Sequence, residues 1–130
     1  MWLIAEDETD IRNLVETLCH AWGYETLVFE DGQRVWNWLD SIENGEYDGP
    51  LPSLALMDIR MPGKKGDEIA HRIRTIPQLH GMGVVLMTAF SLNESQRSAI
   101  LDNGADQIIG KPLPDFEQLH ALLHNVMYSR

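Results

Sequence analysis

Cysteine is almost missing from this chain. Cys19 stands alone among 130 residues, so no disulfide closes within the sequence and nothing asks for an oxidising compartment. Positive charge is scarce too: 10 Lys and Arg face 20 Asp and Glu, a net charge of −10. That balance argues against direct nucleic-acid binding by this domain, because phosphate backbones demand a basic patch. It leaves DNA binding by a segment beyond residue 130 open. No apolar run approaches the roughly 20 residues of a membrane span. The amino terminus lacks a basic stretch followed by a long apolar one, so no secretory signal is expected and the expected setting is cytoplasmic. Repeats, low-complexity tracts and an interdomain linker are also missing, and residues 1–130 read as one domain.

What remains is a chain that is 44% hydrophobic and 23% charged, enough for a real core. Its key stretch is Leu54 to Gly63, L-A-L-M-D-I-R-M-P-G. Leu54 to Met57 is apolar without alternation, as in strands buried on both faces. Asp58 ends the run, and Pro62 with Gly63 turns the chain. Asp58 is thereby placed at the carboxyl end of a central strand, the edge where open α/β sheets bind ligands.

The same grammar recurs. Trp2 to Ala5 forms a first strand, closed by Glu6, Asp7 and Glu8. Ile11, Leu14, Val15, Leu18, Cys19 and Trp22 make one helical stripe, capped by Thr9 or Asp10, with Cys19 in the core and a left-handed stop at Gly23. Tyr24 to Phe29 is a second strand. Val35, Trp36, Leu39 and Ile42 form the next stripe, and residues 44–53 a loop. A third helix covers about 67–74 and Pro77 stops it. Gly83 to Met87 is a strand ending in Thr88. Ser91 with Glu94 has capping-box spacing for a fourth helix, whose apolar face is thin: Leu92, Ala99, Ile100 and Leu101. Ala105 to Ile109 is a fifth strand, followed by Gly110, Lys111 and Pro112. Asp115 with Gln118 opens a last helix that buries Phe116, Leu119, Leu122, Leu123 and Val126. Strand and helix alternate five times, which implies right-handed crossovers and one parallel sheet.

Polar residues therefore gather at one sheet edge: Glu6 and Asp7, Asp58, Thr88 and Lys111. Three clustered carboxylates repel one another and must take protons or hold a cation. Hard oxygens without Cys or His fit Mg²⁺ rather than zinc. The histidines His20, His71, His80, His120 and His124 are placed on surface helices or loops. Trp2, Trp22, Trp36 and Trp38 read as packing residues, with an exposed face left open for Trp38.

With Glu6–Asp7, M-D-I-R-M-P-G, M-T-A-F and G-A-D-Q-I-I-G-K-P in order, the chain resembles the receiver domain of bacterial two-component response regulators over essentially its whole length. The resemblance implies a doubly wound (βα)5 flavodoxin-like α/β sheet of order 2-1-3-4-5. It implies Asp58 as phosphoacceptor, with Glu6, Asp7, Asp58 and the Arg60 backbone carbonyl holding Mg²⁺. Thr88 and Ala89 would meet the phosphoryl oxygens and switch, Lys111 would pair with the phosphate, and the Lys111–Pro112 bond would be cis. Arg60 and Phe90 would flank the site and tune its hydrolysis. The implied partner is a histidine kinase or histidine phosphotransfer domain, in a phosphorelay rather than a turnover enzyme. A carboxylate suits that chemistry as a nucleophile forming an acyl phosphate.

Two positions depart from the family pattern. Glu6 stands where aspartate is commoner, and Ile108 replaces the usual switch aromatic. A homodimer through the fourth helix, fifth strand and fifth helix is open, although the last helix lacks an arginine-rich face. The downstream partner is unspecified, as is whether the chain is a stand-alone regulator or a fragment. Two rivals remain: a pseudo-receiver that is never phosphorylated, and an aspartyl-nucleophile phosphatase of the haloacid-dehalogenase class. The phosphatase would need a second acid where Arg60 stands.

Overall fold

Continuous apolar runs become strands because both of their faces find helices. The structure, a computed structural model, describes residues 1–130. Strands β1 (Trp2–Ala5), β2 (Thr26–Phe29), β3 (Leu54–Asp58), β4 (Gly83–Thr88) and β5 (Gln107–Gly110) alternate with five helices. These are α1 (Thr9–Ala21), α2 (Gly32–Glu43), α3 (Gly66–Thr75), α4 (Glu94–Asp102) and α5 (Phe116–Tyr128). All pairings are parallel, in the order β2-β1-β3-β4-β5.

Successive side chains of a strand point to opposite faces, and the core divides accordingly. Trp2, Ile4, Leu54, Leu56, Val85, Met87 and Ile109 pack on α1 and α5, where Val15, Cys19, Leu119, Leu123 and Val126 meet them. Leu3, Ala5, Ala55, Met57, Val84, Leu86 and Ile108 face α2 and α3, against Val35, Trp38, Leu39, Ile42, Ile69, Ala70 and Ile73. Each fully buried Leu or Ile contributes about 1.5–3 kcal/mol of transfer free energy. The two layers together pin the register, since a one-residue slip would exchange their faces.

Several local expectations are corrected. Helix α1 starts after Glu8 with no side-chain cap, so neither Thr9 nor Asp10 caps it. Leu14 is 51% exposed and Phe116 48% exposed, so both leave their predicted stripes. In α2 the buried face is Val35, Trp38, Leu39 and Ile42, a clean i, i+3, i+4, i+7 set. Trp38 is therefore core and Trp36 half-buried, its ring covered by the Lys64 amine and the Arg72 guanidinium at 4.6 and 4.4 Å. Strand β2 starts at Thr26 and β5 at Gln107, later than expected. The box capping α4 is Asn93 with Gln96, not Ser91 with Glu94. The Asn93 side chain accepts from the Gln96 amide at 2.8 Å. Helix α4 fully buries no residue; Ile100 within it and Leu92 just before it pack partly on the core.

Cys19 is 1% exposed. Burial, with Glu16 nearby, pushes its thiol up to about 12. A thiol reagent at neutral pH should therefore label Cys19 only as fast as the protein unfolds, and quickly once denaturant is added. Rapid stoichiometric labelling of the native protein would contradict this placement.

Candidate functional site

Four strands deliver the site from their carboxyl ends. Glu6 follows β1, Asp58 closes β3, Thr88 closes β4 and Lys111 follows β5. The β1–β3 boundary is where successive crossovers diverge, the switch point of a doubly wound sheet. Backbone bonds lock these ends together. The Ile59 amide donates to the Met87 carbonyl at 2.9 Å, the Lys111 amide to the Thr88 carbonyl at 2.8 Å, and the Gly66 amide to the Ile59 carbonyl at 2.8 Å. Gly66 begins α3 so close to Asp58 that a Cβ there would overlap the Asp58 carbonyl oxygen.

The charges converge on one ammonium. Lys111 Nζ lies 3.0 Å from Glu6 Oε1, 3.1 Å from Asp58 Oδ2 and 3.6 Å from Glu8 Oε1. Glu6 is fully buried, and its second oxygen, Oε2, has no partner. Burial, reinforced by the charge of Asp58, pushes the Glu6 carboxyl above its ordinary range despite the bond from Lys111. Asp58 is raised too, first by burial, with Lys111 and the Arg60 backbone pulling the other way. Burial works against the Lys111 charge, but its bonds to Glu6 and Asp58 outweigh that and raise it. Asp7 is exposed beside them, and carboxylate oxygens of Glu6, Asp7 and Asp58 all lie within 4.8 Å of one another.

Around this cluster, the Thr88 hydroxyl accepts from the Phe90 amide at 3.1 Å. The Arg60 guanidinium sits 3.9 Å above the exposed Phe90 ring. Ala89 is exposed at the rim, and the Lys111–Pro112 bond is cis. Ile108 lies apart, buried at 4% in the α2–α3 layer and paired with Leu86. Sequence reasoning gave no role to two contributors. Glu8 joins the Lys111 contacts, a role hinted at by the acidic run Glu6–Asp7–Glu8. Arg12, one turn into α1, donates to the Glu6 and Asp7 carbonyls at 3.0 and 3.4 Å; only its position after that run pointed there. His120 and His124 are not plain surface residues. They are half-buried among Trp2, Trp22 and Tyr24, and the Tyr24 hydroxyl is 2.6 Å from His124 Nε2.

An acidic cluster around a buried lysine amine, set at the switch point of a flavodoxin-like sheet, defines a class of acidic-site α/β domains. Residues 2–124 match the family described as "Response regulator receiver domain", and the chain belongs to that family. It is a CheY-like receiver domain of the two-component type. It is 31% identical to Response regulator RppA of Synechocystis over 92% of this chain and 47% of that protein. It is 28% identical to Transcriptional regulatory protein GltR of Pseudomonas aeruginosa over 98% of this chain and 50% of that one. The chain thus spans about half the length of these curated relatives. Among solved structures, the fold matches the receiver domain of sensor histidine kinase PA1611 of Pseudomonas aeruginosa at TM-score 0.78 and 21% identity, covering 97% and 95% of the two chains. That structure has a magnesium ion coordinated in its active-site cleft.

The raised carboxyls give the site a pH signature. Glu6 and Asp58 titrate above their ordinary values of 4.5 and 3.8 in the folded chain. Their stabilising share is complete below those values and is lost as pH rises through the higher folded ones. Lys111, raised from 10.5, keeps its share across neutral pH. In metal-free buffer the melting temperature of Asp58→Asn should gain on the wild type as pH climbs from about 4 to about 8. A difference that ignores pH would show that Asp58 is not held against its charge.

Proposed function

We propose that this domain is a phosphorylation switch in which Asp58 accepts a phosphoryl group from a phosphohistidine. The donor is a histidine kinase or histidine phosphotransfer protein. The observation that carries the reading is the buried meeting of Lys111 with Glu6 and Asp58, with the exposed Asp7 at its edge. The donor set fits Mg²⁺: three carboxylates within reach of one another, an unpartnered buried Glu6 Oε2, and no Cys or His among them. Glu6, Asp7, Asp58 and the Arg60 carbonyl would hold the ion. When bound, Mg²⁺ supplies charge neutralisation for the phosphoryl oxygens and for the acidic cluster.

The chain's own residues do the rest. An Asp58 carboxylate oxygen attacks phosphorus, the phosphorus–nitrogen bond breaks, and its electron pair returns to the donor imidazole. Lys111, already 3.1 Å from Asp58, follows the transferred group and pairs with it. The neutral Thr88 hydroxyl turns its proton from the Phe90 carbonyl, 3.4 Å away, to a phosphoryl oxygen, with Ala89 moving alongside. Arg60 stacked on Phe90 roofs the site and limits the approach of hydrolytic water. The reading places the protein in the cytoplasm as a signalling switch rather than a turnover enzyme. The magnesium-bearing receiver of a sensor histidine kinase supports the assignment of both ion and partner.

With Mg²⁺ and a small phosphodonor, the wild type should incorporate phosphate in an acid- and base-labile acyl linkage and Asp58→Asn none, because an amide is a poor nucleophile. Full labelling of the variant at another residue would overturn the assignment. The switch should then leave through α4. Ile108 is β-branched and stiff at χ1, and it sits fully packed beside Leu86. Helix α4 fully buries no residue. Methyl and amide resonances compared with and without a phosphoryl mimic should shift from Thr88 to Glu94, with little rotamer change at Ile108. A large rotamer change at Ile108 over a static 89–94 loop would refute this route.

A further inference from the structure

The loop from Ile59 to Lys65 carries the Arg60 carbonyl and is anchored in the core by Ile59 and Met61. It is held from the side as well, by the first turn of α2. The Gly32 amide donates to the Pro62 carbonyl at 3.0 Å. A Cβ on Gly32 would overlap the Lys64 carbonyl oxygen and lie 2.6 Å from its carbon and 3.0 Å from its nitrogen. The loop approaches reciprocally: Gly63, at φ 81, would place a Cβ 2.7 Å from the Gln33 Cβ and 2.9 Å from its nitrogen. Further along the same helix, the Lys64 amine rests 4.6 Å from the Trp36 ring centroid. Asp31 caps this helix on the Arg34 amide at 2.8 Å, so the platform is itself fixed.

We propose that Gly32 is a positioning residue for the phosphoacceptor loop: its missing side chain lets backbone lie on backbone, so that the first turn of α2 sets where the Arg60 carbonyl stands. Gly32 touches neither metal nor phosphate, and its role rests on the switch reading above. The coupling runs both ways, because whatever orders the loop also orders the helix turn beside it. A partner that grips the amino end of α2 therefore acts on the phosphorylation site without reaching it.

The test is Gly32→Ala in the full chain, with Ile73→Val as a core-weakening control and Gly81→Ala as a neutral one, since nothing lies within 4 Å of a Cβ at Gly81. Without metal, Gly32→Ala should move the amide resonances of Ile59, Arg60 and Gly66, and the two controls should leave them in place. Calorimetric Mg²⁺ titration should then show at least about tenfold weaker binding for Gly32→Ala, the size of supporting-shell losses, and unchanged binding for Ile73→Val. If Gly32→Ala does not fold, Lys64→Ala replaces it, with about two- to fivefold weaker binding from the lost contact with Trp36. Unmoved Ile59 and Arg60 amides, or Mg²⁺ binding equal to wild type, overturn the assignment. A wild type that takes no Mg²⁺ sinks the metal reading alone, and the amide shifts still decide this one.

Discussion

One ammonium makes the carboxyl edge of this sheet possible. Glu6 and Asp58 are both buried, and two carboxylates so placed would each force the other toward its neutral form. Lys111 stands 3.0 and 3.1 Å from them and lets the edge close over the charges. The arrangement is not there for stability. Breaking such a buried set is costly, but replacing it with apolar residues would cost nothing or help. Glu6 Oε2 remains without any partner, an unmet need for a positive ligand at the point where the reading places Mg²⁺. The site is held short of satisfaction, as functional sites commonly are.

Everything else serves to bring those groups from distant parts of the chain. Lys111 and Glu6 are 105 residues apart in sequence, and Lys111 and Asp58 are 53 apart. Only a parallel sheet delivers such strand ends to one edge, because each strand returns through a helix and ends in the same sense. Burial of both sheet faces then fixes the register by which Asp58 aligns with Met87 and Thr88 with Gly110. The core is therefore part of the site's geometry: a strand slip of one residue would turn Asp58 or Thr88 away from the crevice.

Much of this was legible in the residues, and the reasons differ by element. The buried strands were readable because apolar runs bounded by Asp58, Thr88 and Lys111 have few other interpretations. The cluster followed, since strand ends in a parallel sheet share an edge. Surface-facing detail was not legible. Leu14 and Phe116 obey helical spacing yet face outward, because periodicity gives a stripe's direction and not its width. Both Trp36 and Trp38 pack, as their residue type suggests, but only tertiary neighbours, Lys64 and Arg72 against Trp36, decide which ring is covered by cations and which by core. Glu8 and Arg12 were missed as contributors because their contacts depend on how the turn after β1 folds. The two-sided approach of Gly32 and Gly63 is a contact between a helix turn and a loop distant in sequence, and no local pattern encodes it.

The two loops that flank Asp58 differ in how they are held, and that difference gives the site a direction. The loop after β3 is pinned by Gly32, by the bond from Gly66 to Ile59, and by Lys64 over Trp36. The loop after β4 leads into a helix that fully buries no residue and packs on the core through the partly buried Leu92 and Ile100. On the switch reading, work done at Asp58 would move the softer side, since local opening follows the sparsest apolar contacts. A new charge on Asp58 would therefore leave the Arg60 side in place and draw Thr88 across. On that reading, Ile108 in place of a switch aromatic would cost the device little, because the motion would not have to pass through the packed interior where Ile108 sits.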